Sequence, residues 1–516
     1  MKKNLFKRVI ALVLALVCVL SLVACGGGGS TTNKPNATKA TDENGREHVT
    51  LKMFTYTPRM PGKDEMLEAL NEYLNEKLNV TLELNVSTDY EDTMGTRIDA
   101  GEDWDICLVG EGVKFAPYAE RNAFAPLTEY LDLLPKTIAQ LNATGLSSFT
   151  LNDEVYAIPV MKDIFTANGI NVNQTLLEDL GLEVPEFTTN RDLVDWLLNA
   201  KQVKDAKYPD DESVPLFKNI YGNYDMWIVS ERLVGGWDMP FVDVNIDAEN
   251  GYKGISLNDT AFCPFYTQEY RDIMKTIYKL VDAGVGAFDP TAYDVDDIHK
   301  KAGRILGSMS SGLIEVPEDQ YPNFKSKLYM SNVCYADNYQ FAFAINSKCE
   351  NVERAVELLE FMQNDTYAAT TIHYGKEGSS WTDVDNDNII ELTEKNSDPA
   401  NRWWYTWYGY QLGGVTAMKV VPGYSSDYFE NLKEMNKSAE PRPNAGFVFD
   451  EDPVQNQLMA VNNVYAEYHN VLKLGQNSNV DELVDQFVAE LKANGMDEIV
   501  AEAQRQLDAW RAENGK

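Results

Sequence analysis

A run of aromatic residues between positions 402 and 410 offers the most specific chemistry in this 516-residue chain. Arg402 precedes Trp403 and Trp404 in this run, and Trp407 follows them. Flat aromatic faces suit the C–H faces of a sugar ring, while carboxylates, amides and arginine suit its hydroxyl groups. The run therefore predicts a carbohydrate-binding surface. Burial in a core is the competing interpretation, because most large aromatic side chains in a protein of this size are structural.

Three more aromatic residues, Tyr221, Trp227 and Trp237, are candidates for the same chemistry. A pair of glycines precedes Trp237 and a proline follows it three residues later, so turn chemistry predicts a side chain presented from a loop. Trp227 precedes two β-branched apolar residues, which favours burial. Trp237 is therefore the preferred candidate of the three.

Residues 383–394 match the pattern of a calcium loop except at Asn388, where the pattern has glycine. Asn388 does not rule the loop out, because asparagine also adopts the left-handed backbone conformation. No helix pattern flanks the segment, and the alternation after Asn388 indicates a strand, so a hairpin turned by Asp-Asn is the preferred prediction. We expect no metal site and no cofactor. The carboxylates that a calcium loop would use are Asp383, Asp385, Asp387 and Glu394.

Enzyme motifs are not found in the sequence. Its four histidines form no zinc-binding pair, and it contains neither a nucleophile elbow nor a phosphate loop. A secreted glycosidase, which needs only two carboxylates, stays open as an alternative because the chain has 80 acidic residues. We expect a protein that is not an enzyme.

The N-terminus carries a positively charged start and an apolar run from Val9 to Ala24, too short to span a bilayer comfortably. The small residue before Cys25 and the glycines after it resemble the lipobox of bacterial lipoproteins. That resemblance implies lipidation of Cys25, cleavage before it, and a flexible tether up to residue 47. An ordinary secretory signal and an uncleaved anchor helix are the alternatives.

Charge and cysteine content narrow the class of partner. A formal net charge of −35 makes nucleic acid a poor partner.

The cysteines of the body, at positions 107, 263, 334 and 349, lack metal-ligand spacing, and a Cys334–Cys349 disulfide stays open. The body is long enough for two domains, and we expect a monomer.

The body opens with alternating strand and helix patterns up to position 109, which predicts a parallel α/β sheet. Ligands bind beyond the carboxyl ends of such strands. The loops after the first and third strands therefore supply Tyr56, Arg59 and Glu111 as candidates, and Asp105, which opens the third strand, is a further candidate. Apolar stripes at helical spacing after position 454 predict helices packed on the body.

The order of local patterns resembles the family 1 extracellular solute-binding proteins of bacterial ABC importers. The segments that carry this resemblance are Ala100–Ile106, Ala123–Thr128, Tyr156–Pro159 and Asn171–Thr188, with Val172 as a departure from the usual tyrosine. The tail, with Gly446–Asp450 and Ala503–Trp510, resembles an uncharacterised C-terminal module of a Gram-positive subgroup. A loop with Tyr374 and Glu377 resembles a glycine-bounded loop of that subgroup, which implies a hydroxyl acceptor at Glu377. A structural role of Glu377 in the turn is the alternative.

The resemblance implies an α/β, two-lobed binding-protein fold of type II, with a hinge between the lobes and a helical C-terminal segment. The resemblance implies that the protein captures a carbohydrate, and the expected carbohydrate is an oligosaccharide. The protein would deliver it to permease subunits at the extracellular face of the cell membrane. A peptide or another polar solute is the main alternative ligand, and an adhesive lipoprotein is a further class. The expected divisions are signal peptide 1–24, tether 25–47, first lobe 48–159, second lobe 160–330, return to the first lobe with site loops 331–440, and C-terminal module 441–516.

Overall fold

The protein divides into two compact units, Met1–His48 and Val49–Lys516, in this computed structural model. In the first unit, Arg46 donates from Nε to Asp42 at 2.8 Å. None of the helices in the described ranges combines the length and apolar character of a membrane span. The structure describes residues 41–42, 45–57, 60–110, 113–141, 145–211, 216–218, 230–234, 242–246, 257–286, 305–311, 326–336, 341–397, 402–404, 411–441, 444, 446–475 and 477–515.

Strands of the second unit form two five-stranded sheets, one three-stranded sheet and two hairpins within the described residues. The strands are β1 (Val49–Tyr56), β2 (Val80–Ser87), β3 (Ile106–Val109), β4 (Thr150–Leu151), β5 (Glu154–Val155), β6 (Ala157–Pro159), β7 (Phe165–Asn173), β8 (Phe217–Lys218), β9 (Ser230–Val234), β10 (Val242–Ile246), β11 (Leu257–Phe262), β12 (Gly307–Ser311), β13 (Ser326–Ala336), β14 (Ala342–Ile345), β15 (Trp381–Thr382), β16 (Glu391–Leu392) and β17 (Glu440–Pro441).

Helices cover the sheets and make up most of the C-terminal region. They are α1 (Lys63–Leu78), α2 (Tyr90–Ala100), α3 (Phe115–Glu120), α4 (Pro135–Gln140), α5 (Gln174–Leu180), α6 (Val194–Lys207), α7 (Gln268–Asp282), α8 (Val352–Asn364), α9 (Thr366–Tyr374), α10 (Glu394–Ser397), α11 (Tyr428–Ser438), α12 (Gln455–Lys473), α13 (Val480–Ala493) and α14 (Met496–Glu513).

The first sheet has the strand order β2-β1-β3-β14-β6. Strands β1, β2 and β3 run parallel, as their alternation with helices predicts, and β14 runs antiparallel beside β3. All four residues of β3 are buried, because helices cover both faces of such a sheet. On one side, α1 buries Met66, Leu70 and Leu74 at helical spacing. These residues, with β14 and α8, belong to what we call the first core.

The second sheet has the order β17-β13-β7-β12-β8, in which β7 pairs antiparallel with β12 and β13. Residues 160–164 link β6 of the first sheet to β7 of the second. The pairing of β13 with β7 continues to Ala336, and Ala342 opens β14 in the first sheet, so the chain returns between these two residues.

The C-terminal helices α12, α13 and α14 complete the core of the second sheet. Their apolar stripes, including Leu458, Phe487 and Leu507, pack in one cluster with Ile170 of β7 and Ile277 of α7. We call this cluster the second core. The predicted α/β class and helical C-terminal segment are therefore both present.

Candidate functional site

The carboxyl edge of the first sheet gathers several chain segments. The parallel strands end here at Tyr56, Ser87 and Val109. Because β14 and β6 are antiparallel to each other, Ala342 at the start of β14 lies beside both Val109 and Pro159. This edge is where an α/β sheet binds its ligands, and the linking residues 160–164 leave from it.

Tyr56 and Thr57 stand at the end of β1, on this edge. Tyr56 is half-buried and packs against the first core, opposite Ser87 of β2. Thr57 is 3% exposed, and its Oγ1 has no hydrogen-bond partner among the described residues. A buried hydroxyl in this state costs about 1–3 kcal/mol unless it is satisfied. Thr57 Oγ1 is therefore suited to a polar group of a ligand.

The segment that begins at Gln411 lies along the same edge. Thr55 donates from its hydroxyl to the carbonyl of Gln411, and Val415 donates its N–H to the carbonyl of Met161 at 2.7 Å. Gln411 is 6% exposed, and its side-chain Oε1 is buried without a partner among the described residues. A second buried acceptor thus lies at the strand ends, where a hydroxyl donor of a ligand would satisfy it.

Trp403 is held against the loop that joins β1 to α1. Gly62 donates its N–H to the carbonyl of Trp403 at 2.7 Å, and a Cβ at Gly62 would lie 2.5 Å from the indole ring. The indole Nε1 donates to Glu65 at 2.5 Å, and the Lys395 ammonium stands 4.2 Å from the ring centroid. These contacts fix the half-buried ring beside the first core.

The Glu65 carboxylate organises this network. Besides Trp403 it accepts hydrogen bonds from Lys395 Nζ at 2.9 Å and Ser379 Oγ at 2.8 Å. The hydrogen bond from Lys395, followed by those from Ser379 and Trp403, outweighs partial burial and lowers the pKa of Glu65. Glu65 therefore stays ionised and ties three segments of the chain together.

Trp404 packs in the first core, whereas Tyr374 packs in a separate small cluster with Trp381 and Ile390. Trp404 is fully buried, donates from Nε1 to the carbonyl of Ile372 at 2.9 Å, and its N–H bonds the Asn396 side chain at 2.9 Å. Tyr374 is 4% exposed. Arg402 is half-buried. The ring of Trp403 is thus the more accessible of the two adjacent indoles.

Glu377 lies in an exposed turn after α9. The chain reverses here, with the N–H of Gly378 donating to the carbonyl of Trp381 at 2.7 Å. Burial raises the pKa of Tyr367, and the nearby charge of Glu377 raises it further. Glu377 is accessible to a ligand hydroxyl, and its role as an acceptor stays a prediction.

Asp105 lies at the amino end of β3, away from the edge that carries Tyr56. Its carboxylate accepts the N–H of Lys52 at 2.8 Å, and its own N–H donates to the carbonyl of Lys52 at 2.9 Å. The structure does not bring Asp105 together with the other candidates. The candidates Arg59, Glu111, Tyr221, Trp227, Trp237 and Trp407, as well as Cys25, lie outside the described residues.

The sequence alone does not identify Thr57, Glu65 or Gln411 as residues of the site. Thr57 follows the first strand directly and Gln411 follows the aromatic run directly, so position along the chain was the available signal. The sequence does not show that a polar atom is buried without a partner, because that depends on which segments meet. Glu65 looked like an ordinary acidic residue in the first turn of a helix.

A groove of about 480 Å³ lies elsewhere, between β11 and α14. Its lining includes Tyr266 and Gln504, and the Gln504 side chain accepts the N–H of Ala261 at 2.6 Å. Among the described residues, those predicted to bind a ligand are not part of this lining.

Comparison with known proteins identifies the family. A model described as bacterial extracellular solute-binding protein matches residues 57–369, more than half of the chain. A model described as a domain of unknown function (DUF3502) matches residues 443–512. A carbohydrate ABC transporter substrate-binding protein of Streptococcus pneumoniae serotype 4 is 22% identical over 521 residues, covering 98% of this chain and 99% of that protein.

Two solved structures show the fold. The N-glycan transport solute binding protein NgtS of Streptococcus pneumoniae superposes with a TM-score of 0.69 at 19% identity, over 91% of this chain and 100% of that one. An HMO binding, ABC-transporter associated solute-binding protein of Bifidobacterium longum infantis superposes with a TM-score of 0.57 at 16% identity, over 90% and 99%. The predicted two-lobed fold is confirmed, and so is the resemblance of both the body and the tail. The chain belongs to the bacterial extracellular solute-binding protein family.

Proposed function

We propose that this protein is the substrate-binding component of an ABC importer and that it captures an oligosaccharide between its two lobes. The observation that carries the proposal is the relationship over 98% of the chain to a carbohydrate ABC transporter substrate-binding protein. The names of the N-glycan transport and HMO binding proteins with the same fold point to the same class of ligand.

The chemistry at the carboxyl edge of the first sheet supports a polar, ring-bearing ligand. Trp403 offers a fixed and partly accessible aromatic face, while Thr57 and Gln411 contribute buried oxygens that need hydrogen-bond partners. Sugars present flat C–H faces and many hydroxyls, so they meet both requirements. The exposed carboxylate of Glu377 would accept hydroxyl hydrogen bonds at the margin of this surface.

Ligand capture would proceed by closure of the lobes. A ligand that contacts both lobes binds the closed state better than the open state, and this difference in affinity shifts the equilibrium to closure. One link between the sheets, residues 160–164, is supported by Asn436 of α11. Asn436 Oδ1 accepts the N–H of Ile164 at 3.0 Å, and its Nδ2 donates to the carbonyl of Lys162 at 2.8 Å. Asn436 would hold this link while the lobes move.

The cargo would leave uncleaved, because a binding protein needs no reaction at its site. Native mass spectrometry of residues 49–516 with a mixture of mono-, di- and oligosaccharides and peptides tests both parts of the proposal. We expect one sugar class to be retained at its intact mass after hours of incubation. Retention of a peptide instead would overturn the assigned cargo, and shortened sugars would identify a glycosidase.

Lipidation of Cys25 would anchor the protein at the extracellular face of the cell membrane, as a monomer that meets the permease there. The positively charged start, short apolar run and small residue before Cys25 support this. In the native host, Cys25→Ser should move the protein from the membrane fraction to the medium, whereas Cys349→Ser should not. Equal fractionation of the two variants would overturn the anchor, and light scattering of residues 49–516 tests the monomer.

A further inference from the structure

The turn between β15 and β16 places several carboxylates on a short, tightly held loop. Trp381 pairs with Leu392 and Thr382 with Glu391, so the predicted hairpin is present. Its turn begins at Asp383, and Glu394 follows as the first residue of α10. The hairpin and the twelve-residue spacing of a calcium loop therefore coexist in one segment.

Three aspartates of this turn converge. Asp383, Asp385 and Asp387 each place one carboxylate oxygen within 4.8 Å of the others. Two oxygens bound to one Ca²⁺ ion at 2.3–2.6 Å lie at most about 5 Å apart, so the observed spread fits a shared ion. Three carboxylates at this spacing repel one another. A divalent cation between them would attract all three and offset this repulsion.

Asp383 gives independent support, because one of its two carboxylate oxygens is buried without a donor among the described residues. Its side chain is 2% exposed, so the carboxylate is taken out of water although its neighbours Asp385 and Asp387 are exposed. Lys419 contacts Oδ2, while Oδ1 is buried and has no hydrogen-bond partner among the described residues. A buried carboxylate oxygen without a donor is costly, whereas a coordinated cation satisfies it.

The backbone of the turn is already folded as a loop around this cluster. Asn386 and Asn388 have positive φ values of 59° and 76°, so both residues adopt the left-handed conformation and turn the chain back. Ile390 donates its N–H to the carbonyl of Val420 at 2.7 Å, and Val420 donates to the carbonyl of Asn388 at 3.0 Å. The loop is held by the protein with its three aspartates together, which limits the entropy lost on binding an ion.

We propose that residues 383–394 form a calcium site. Asp383, Asp385 and Asp387 provide its carboxylate oxygens, and the carbonyl of Ile389 stands at the seventh position, where calcium loops use the backbone. Glu391 and Glu394 occupy the ninth and twelfth positions and complete the shell by side-chain rotation. An all-oxygen set in which carboxylates can bind through one or two oxygens favours Ca²⁺ over Mg²⁺, which demands near-ideal octahedral geometry.

The calcium site is coupled to the segment that carries Trp403. Thr393 donates its N–H to the carbonyl of Ser380 at 3.1 Å and its hydroxyl to the carbonyl of Ser379 at 2.7 Å. Two residues further on, Lys395 reaches Glu65 and the Trp403 ring. An ion in the turn therefore steadies the network beside Trp403 without touching the sugar, and the proposal does not depend on the identity of the cargo.

Calorimetric titration of EDTA-treated residues 49–516 with CaCl₂ tests the site. We expect one saturable event with a Kd of about 0.1–1 mM, the range of extracellular calcium modules, and at least about tenfold weaker binding of MgCl₂. The melting temperature should rise with calcium concentration.

The double variant Asp385→Asn/Asp387→Asn should weaken calcium binding at least about tenfold, while its melting temperature in EDTA stays within a few degrees of the parent because both side chains are exposed. Asp153→Asn is the matched control, an exposed aspartate with positive φ in the turn between β4 and β5. It should bind calcium like the parent. No saturable binding below 10 mM calcium, or equal losses in the double variant and the control, would overturn the site.

Discussion

Two regions of the protein are rich in aromatic residues, and they differ in how those residues are held. At the carboxyl edge of the first sheet, the half-buried ring of Trp403 is held by the Glu65 carboxylate and the Lys395 ammonium, and the Trp403 carbonyl accepts the N–H of Gly62. In the second core, the ring centroids of Phe265 and Phe487 stand 5.1 Å apart and both rings are fully buried. Aromatic content alone therefore does not distinguish a ligand surface from a core. Partial exposure, and polar atoms without partners beside the ring, do.

Truncation in the second core should have the largest effect. Phe487→Ala removes a fully buried ring that packs on Phe265, Tyr270 and Tyr465, and we expect a loss of about 3–5 kcal/mol in the free energy of unfolding. Denaturant unfolding measures this loss. The folded fraction of the variant should bind cargo with the parent's affinity. A selective loss of affinity would mean that the C-terminal helices take part in binding.

Acid should weaken the second core through His469. Burial, with a smaller contribution from Lys473, lowers the pKa of His469 to about 3, and its Nδ1 lies 2.7 Å from the Tyr270 hydroxyl. The unfolded chain binds a proton near pH 6.5 while the folded chain does not. Stability from this residue is therefore complete above pH 6.5 and falls by about 1.4 kcal/mol per pH unit as pH drops towards 3.

Unfolding free energies of the parent and of His469→Gln between pH 7.5 and 5 check this contribution. The variant lacks the titrating group, so its stability should fall less steeply with acid. Parallel slopes for the two proteins would show that His469 is protonated in the folded state.

Removal of the Trp403 ring should weaken ligand binding. Trp403→Ala should weaken oligosaccharide binding by about tenfold or more, equivalent to about 1.4 kcal/mol. Trp510→Ala is the matched control, because that half-buried indole packs on Phe447 in the C-terminal module, with ring centroids 5.9 Å apart. Calorimetry with the identified cargo should show the loss for Trp403 alone. Equal affinities would remove Trp403 from the site.

The smallest expected effect on binding follows from crowding the Trp403 ring. Gly62→Ala would place a Cβ 2.5 Å from the indole and 2.8 Å from the Trp403 carbonyl, so the ring must shift. We expect affinity to fall by only a few fold, while crowding against the carbonyl should lower the free energy of unfolding by about 1–3 kcal/mol. In the Trp403→Ala background the same change should alter affinity much less, because the ring is already absent. An equal effect in both backgrounds would mean that Gly62 acts independently of Trp403.

Much of the fold could be predicted because periodic burial leaves a direct mark on the sequence. Val80–Ser87 alternates between buried and more exposed residues as a strand does, and Val49–Tyr56 is rich in strand-forming residues. The stripe containing Leu458, Val461 and Tyr465 recurs at helical spacing. These patterns depend on each element's own residues, so the first sheet and the C-terminal helices were predicted correctly.

The site could be predicted only in outline. Trp403 and Trp404 are adjacent and share the same neighbours in the sequence. In the structure, the Trp403 indole faces the β1–α1 loop and the Trp404 indole faces the core. Which one stays accessible is decided by partners outside the aromatic run, Gly62 and Asn396, that the run itself does not reveal. The same holds for Thr57 and Gln411, whose oxygens lose their partners only when separate segments meet.

The most direct test of oligosaccharide capture is a thermal-shift titration of residues 49–516 against a panel of mono- and oligosaccharides. Peptides are included in the panel as the alternative class of ligand. We expect a concentration-dependent rise in melting temperature for one class of oligosaccharide, and a much smaller rise for the Trp403→Ala variant. A rise with peptides alone, or no rise with any sugar, would contradict the assignment of this protein to oligosaccharide capture.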